Sequence, residues 1–151
     1  MDGKSLLKIW NLNKLGGVIG VFNCQGSGSW SCKERNPSEH VLEPKPSVLS
    51  SSVKPVDVEF LQEVAGENWA GNCAVYAFKA GTLSRLTINR SIEVTFGVLH
   101  CEIYTISPIR VYNQTIHFAP IGLVDMYNSG GAIEALNCSE DSSTCKLQII
   151  V

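Results

Sequence analysis

The chain has 151 residues, 44% of them hydrophobic and 17% charged, and a formal net charge of −2. That length suits one domain with a genuine core, and the apolar content excludes a disordered chain, which cannot bury enough surface to offset the entropy of ordering. The 12 Lys and Arg residues are scattered, so no concentrated basic face for nucleic acid is expected, and no apolar run reaches the about 18 residues of a membrane-spanning helix.

In chain order, Met1-Asp2-Gly3-Lys4 opens without the basic start, apolar stretch and cleavage site of a secretory leader, and a cytoplasmic location is expected. Short apolar, β-branched runs follow at Leu6–Trp10 and Val18–Asn23. From residue 27 to residue 53 the composition changes to Ser, Pro, Lys and Glu, with Pro37, Pro44, Pro46 and the triplet Ser50-Ser51-Ser52. Proline removes ladder donors and serine buries little, so this stretch predicts a long flexible loop. It separates residues 1–26 from a main body at 54–151. Val56, Val58 and Phe60 then alternate with Asp57 and Glu59, the pattern of a strand entering that body.

Further runs lie at Ala74–Phe78, Ile92–Val98, Cys101–Ile106, Thr115–Ala119, Leu123–Tyr127 and Lys146–Val151. Ile92, Val94 and Phe96 face one way while Glu93 and Thr95 face the other, the period of a half-buried strand. The run from Cys101 to Ile106 is apolar on both faces, as a strand covered on both sides would be. Ser129-Gly130-Gly131 is a turn signal in which glycine supplies positive φ. No apolar stripe keeps helical spacing over three turns, and no internal repeat is found. The fold class predicted is all-β, an antiparallel β-sandwich.

The six cysteines are Cys24, Cys32, Cys73, Cys101, Cys138 and Cys145. None forms a Cys-x-x-Cys pair for zinc. Cys24, Cys73 and Cys101 lie inside apolar runs, where a reduced thiol packs as a small hydrophobe. The sequons at Asn89, Asn113 and Asn137 would matter only after secretion.

Residue chemistry offers little for catalysis. The carboxylates to consider are Asp57, Glu59, Glu93, Glu102, Asp125 and Glu134. Asp57, Glu59 and Glu93 alternate with apolar residues and read as a solvated sheet face. Asp125, in the apolar run Gly122-Leu123-Val124-Asp125-Met126-Tyr127, is the one that would want a partner. His100 and Glu102 share a strand face that Cys101 does not, and His117 belongs to another strand, so no metal site is expected. No nucleophile elbow and no phosphate-binding glycine loop occurs, and no cofactor is implied. Among the aromatics, Trp10 and Tyr76 read as core. Trp30 and Trp69, in turn-like sequence, are the candidates for stacking on a sugar.

Two stretches carry more than composition. Leu6-Leu7-Lys8-Ile9-Trp10-Asn11-Leu12-Asn13-Lys14, continuing through Gly17-Val18-Ile19-Gly20-Val21-Phe22-Asn23-Cys24-Gln25-Gly26, resembles plant raffinose synthases and seed imbibition proteins. The second is Glu102-Ile103-Tyr104-Thr105-Ile106-Ser107-Pro108-Ile109, then Phe118-Ala119-Pro120-Ile121-Gly122-Leu123 and Asp125-Met126-Tyr127-Asn128-Ser129-Gly130-Gly131-Ala132-Ile133-Glu134. It is similar to the closing β domain of the same family. Where that family reads Cys-Gln-Gly-Ala-Gly-Trp-Cys, this chain has the longer Cys24-Gln25-Gly26-Ser27-Gly28-Ser29-Trp30-Ser31-Cys32.

The resemblance implies a member of the glycoside hydrolase family 36 group. Such enzymes transfer an α-galactosyl unit from galactinol to sucrose, or in a hydrolytic branch act as alkaline α-galactosidases. A free-standing carbohydrate-binding sandwich is the alternative of another class. The family's double displacement uses two aspartates of a (β/α)8 barrel. No position here matches either catalytic motif, so no catalytic residue is carried over. The expectation is a C-terminal piece: residues 1–26 lead out of a missing barrel, 54–151 form a β domain short of its last strand, and Met1 is an internal start. The piece alone is expected to be inactive. Leu6, Ile9 and Trp10 should pack on the barrel, leaving an apolar patch exposed without it, which the low charge also suggests.

Overall fold

The computed structural model describes residues 5–25, 47–112, 115–123, 125–140 and 144–151. Its strands, in chain order, are β1 (Leu7–Leu12), β2 (Gly17–Phe22), β3 (Leu49–Val53), β4 (Asn72–Ala77), β5 (Thr82–Thr87), β6 (Ile92–Phe96), β7 (Cys101–Pro108), β8 (Arg110–Tyr112), β9 (Ile116–Phe118), β10 (Ala135–Glu140) and β11 (Cys145–Ile150). One short helix, α1 (Leu61–Ala65), and two 3-10 turns, at Pro55–Asp57 and Ser129–Ala132, accompany them.

Five strands form one antiparallel sheet in the order β1-β2-β7-β4-β5. Period-2 alternation sorts its side chains into two faces. Trp10, Ile19, Tyr104 and Ala77 are cross-strand neighbours on the inner face, and Leu12, Gly17, Ile106 and Val75 form the next row. Across from them lies a second layer, the antiparallel ribbon β3–β6 with α1 and the 3-10 turn before it. Val53, Val94, Val58 and Leu61 of that layer join Ile19, Val21, Val75 and Ile106 in one buried cluster. Each fully buried aliphatic side chain there contributes roughly 1.5–3 kcal/mol. The result is the antiparallel, sandwich-type all-β fold that the strand pattern predicts.

Gly17 fixes how closely the layers approach. A Cβ at this position would fall 2.4 Å from Val58 Cγ1 and 3.1 Å from the Asn11 carbonyl oxygen. With only hydrogen there, Val58 seats against β2. At the open side of the layers Lys8 reaches from β1 to Asp57 Oδ2 (2.8 Å) and to the Ser52 carbonyl. The same carboxylate accepts from Lys54 N at 3.0 Å, so it closes the 3-10 turn.

Several expectations change. Of the stretch 27–53 expected to be loop, residues 27–46 lie outside the described residues, and Leu49–Val53 is strand β3, paired with β6 in full register. Serine side chains can occupy the solvent side of a ribbon, and Ser50 Oγ does so against Thr95 Oγ1 at 2.8 Å. Val56, Val58 and Phe60 are not a strand. Pro55 has no amide for a ladder and starts the 3-10 turn, and Phe60 turns back at φ 62°. Asp57 therefore leaves the solvated sheet face predicted for it and becomes the partner of Lys8. The run 123–127 holds no strand at its described positions. At the Ser129 turn the left-handed residue is Asn128, at φ 53°. Gly130 instead sits close to Asn13, whose Nδ2 would lie 2.9 Å from an added Cβ and would have to move aside. Tyr76 is half-buried on the outer face of the sheet rather than in the core.

Candidate functional site

The carboxylates come first, since they would carry any glycosyl transfer. Glu102 is the buried one, 6% exposed on β7. It accepts from the backbone amides of Lys79 (2.7 Å), Ala80 (2.9 Å) and Ile103 (2.8 Å). Those bonds satisfy an otherwise costly buried charge and tie the β4–β5 turn to β7. Its oxygens are occupied by backbone, so its role is to hold a turn. Asp125, the carboxylate that sequence singled out, is exposed at φ 62° and not buried. Glu59, Glu93 and Glu134 are also exposed. Among the described residues, no three His, Cys, Asp or Glu side chains gather as metal ligands.

Cys73 is fully buried on β4, and burial pushes its thiol up to about 12. Tyr104 is pushed up to about 12 by burial and, to a lesser degree, by the Glu102 carboxylate. Cys101, expected in the core, is half-buried, and its Sγ lies 2.9 Å from Lys79 Nζ.

Trp30 lies outside the described residues. Trp69 is half-buried, packs against the core cluster and donates from Nε1 to the Asn72 carbonyl at 2.7 Å. It stands between two surface hollows. One, of about 510 Å³, runs between α1 and Ile88. The other, of about 370 Å³, lies between the 65–70 loop, β8 and β10, and is lined by Glu67, Asn68, Trp69, Arg110, Tyr112 and Leu136, among others. Three hydrogen bonds hold the walls of the second hollow together. Asn72 O accepts both from Trp69 and from Ile109 N (2.8 Å), and Arg110 Nη2 donates to Val64 O at 2.9 Å. Sequence reading reached Trp69 by its turn-like setting and Tyr112 as one of the aromatics able to stack on a sugar, but not Arg110. The three-residue strand that carries it is too short for periodicity to reveal.

The outer face of the five-stranded sheet is the other notable surface. Ile9, Gly20 and Ile103 are cross-strand neighbours on it, as are Tyr76 and Leu83. Ile9 is 57% and Leu83 65% exposed, and Tyr127 covers Phe78 with ring centroids 4.3 Å apart. Leu6, by contrast, is in the internal core, and Trp10 packs on that core and against Phe60 at 6.5 Å. Of the three side chains expected to face a barrel, Ile9 alone projects outward.

Known proteins resemble this chain over nearly its whole length. The family model described as "Raffinose synthase or seed imbibition protein Sip1" matches residues 1–150. The chain is 43% identical over 150 residues to a probable galactinol–sucrose galactosyltransferase 6 of Arabidopsis thaliana, covering 98% of this chain and 20% of that protein. It is 39% identical to the galactinol–sucrose galactosyltransferase of Pisum sativum (98% of this chain, 18% of the relative). To the stachyose synthase of Pisum sativum it is 36% identical (87% and 16%). The chain thus spans about a fifth of the length of the curated relatives it matches. It belongs to the raffinose synthase and seed imbibition protein family.

Proposed function

We propose that this chain is the β-rich supporting module of a galactinol–sucrose galactosyltransferase, and that it takes part in transfer without supplying the reacting groups. The observation that carries this reading is the pairing of family membership with the state of its carboxylates. Double displacement needs two carboxyl groups roughly 5 Å apart across the scissile bond. Here Glu102 is consumed by backbone amides and Asp57 by Lys8 and a turn. A nucleophile and an acid–base aspartate belong, on this reading, to the rest of a full-length protein of the family. Galactinol gives up its galactosyl unit to one of them, and sucrose receives it.

The outer sheet face supports a packing role. A sheet in a sandwich buries one face internally, and here the other face also carries Ile9, Ile103, Tyr76 and Leu83. That face is the surface we assign to contact with the catalytic barrel. No helix among the described residues is long and apolar enough to cross a membrane. We place the protein in the cytoplasm, where Cys73 and Cys101 persist as thiols.

The test is incubation of the purified 151-residue chain with galactinol and sucrose, read by chromatography. No raffinose is expected. Raffinose formed by this chain alone would overturn the supporting role, and release of free galactose would point to the hydrolytic branch.

A further inference from the structure

The hollow between the 65–70 loop, β8 and β10 has the makings of a binding site that none of the chemistry above uses. Its volume of about 370 Å³ falls at the lower end of the range for small-molecule pockets. It is also preorganised. The Asn72 carbonyl fastens Trp69 to the start of β8, and the Val64 carbonyl fastens Arg110 to α1. A pocket whose walls are already locked loses little entropy on binding.

Its chemistry selects a ligand class. Arg110 lines the hollow and donates from Nη2 to Val64 O, an anchor that leaves further guanidinium donors for a ligand. A lone guanidinium in a cleft would indicate an anion. Glu67 lines the same hollow, however, and a carboxylate opposes one. A ligand satisfying both must accept from Arg110 and donate to Glu67, and Asn68 offers both functions. Hydroxyl groups on adjacent carbons do this. Trp69, Tyr112 and Leu136 give the hollow apolar surface against which a ring's C–H face can lie.

We propose that this hollow is a saccharide-binding subsite that holds a neutral pyranose through Arg110 and Glu67 with Trp69 as its apolar wall. It shares a ligand class with the galactosyltransferase reading but does not rest on it. Loss of binding here and absence of transfer activity are separate observations.

The experiment titrates the ¹⁵N-labelled 151-residue chain with raffinose and follows the Trp69 indole N–H resonance, with inorganic phosphate as the anionic comparison. The expected result is a saturable shift at millimolar raffinose and none with phosphate. Glu67→Ala, an exposed loop substitution, and Arg110→Gln, which keeps a donor for Val64 O, should each weaken raffinose binding about tenfold with the rest of the spectrum intact. No shift with raffinose, a shift that both variants leave unchanged, or an equal shift with phosphate would overturn the proposal.

Discussion

Gly17 and Val58 illustrate how a single hydrogen atom sets the distance between layers. Gly17→Ala would drive a methyl group to 2.4 Å from Val58 Cγ1, and overpacking of this kind costs about 1–3 kcal/mol. The midpoint of thermal unfolding should fall by several degrees. Gly97→Ala is the comparison, because its Cβ would meet His100 Nδ1 at an ordinary 3.5 Å, and it should stay within about 0.5 kcal/mol. Equal midpoints for the two variants would contradict this packing. The core also has a pH signature. Burial raises Cys73 from 9.0 and Tyr104 from 10.0, each to about 12, so the fold holds both in their neutral forms. The unfolded chain releases these protons first. Their contribution is whole below pH 9.0 and is lost as pH climbs toward about 12. Urea midpoints should therefore fall between about pH 8 and about pH 10.5, and fall less in Cys73→Ala. A midpoint that does not fall across this window would count against it. At this scale the sequence was partly legible. A buried carboxylate was anticipated, but at Asp125 rather than Glu102. Both stand in apolar runs, and only tertiary pairing of β7 with the 79–80 turn decides which is covered.

Among the elements, β1, β2, β4, β6, β7, β9 and β11 were legible as short apolar, β-branched runs between turn residues, with alternation clearest in β6. The missed strands have weak signals. β3 is mostly serine, β5 reads Thr-Leu-Ser-Arg-Leu-Thr with one edge unpaired, and β8 has three residues. Each is specified by its partner more than by its own residues. Asn23, just after β2, then ties Gln25 to Ser47 and to β6. It is 1% exposed, donates to the carbonyls of Ser47 (3.1 Å) and Phe96 (3.0 Å), and accepts from Gln25 N (3.1 Å). Ser47 N returns a bond to Gln25 Oε1 at 2.7 Å. Residues 25 and 47 are therefore held side by side. Because residues 25 and 47 are already held together, replacing residues 27–45 with about six Gly/Ser residues should not lower the urea midpoint, since closing a shorter connection costs less entropy. Asn23→Ala should lose about 1–3 kcal/mol, because it strips two carbonyls of their donor. A shortened chain that fails to fold would contradict this arrangement.

For the whole molecule, the sequence conveyed the fold class and, through resemblance, the family. It did not separate the two faces of the five-stranded sheet. Leu6, Ile9 and Trp10 look alike in a run, yet register sends Trp10 toward the core and Ile9 to the outer face, with Leu6 buried beside β1. The outer face, with Ile9 and Leu83 exposed, is where this module would meet the larger part of a family member. The most direct measurement grafts this chain in place of the matching fifth of the Arabidopsis relative and follows raffinose formation from galactinol and sucrose. The graft should be active, and Ile9→Glu with Leu83→Glu should lower its rate by about tenfold or more, since charges on an apolar contact must be desolvated. A soluble, folded graft that forms no raffinose, or one indifferent to both glutamates, would contradict the account.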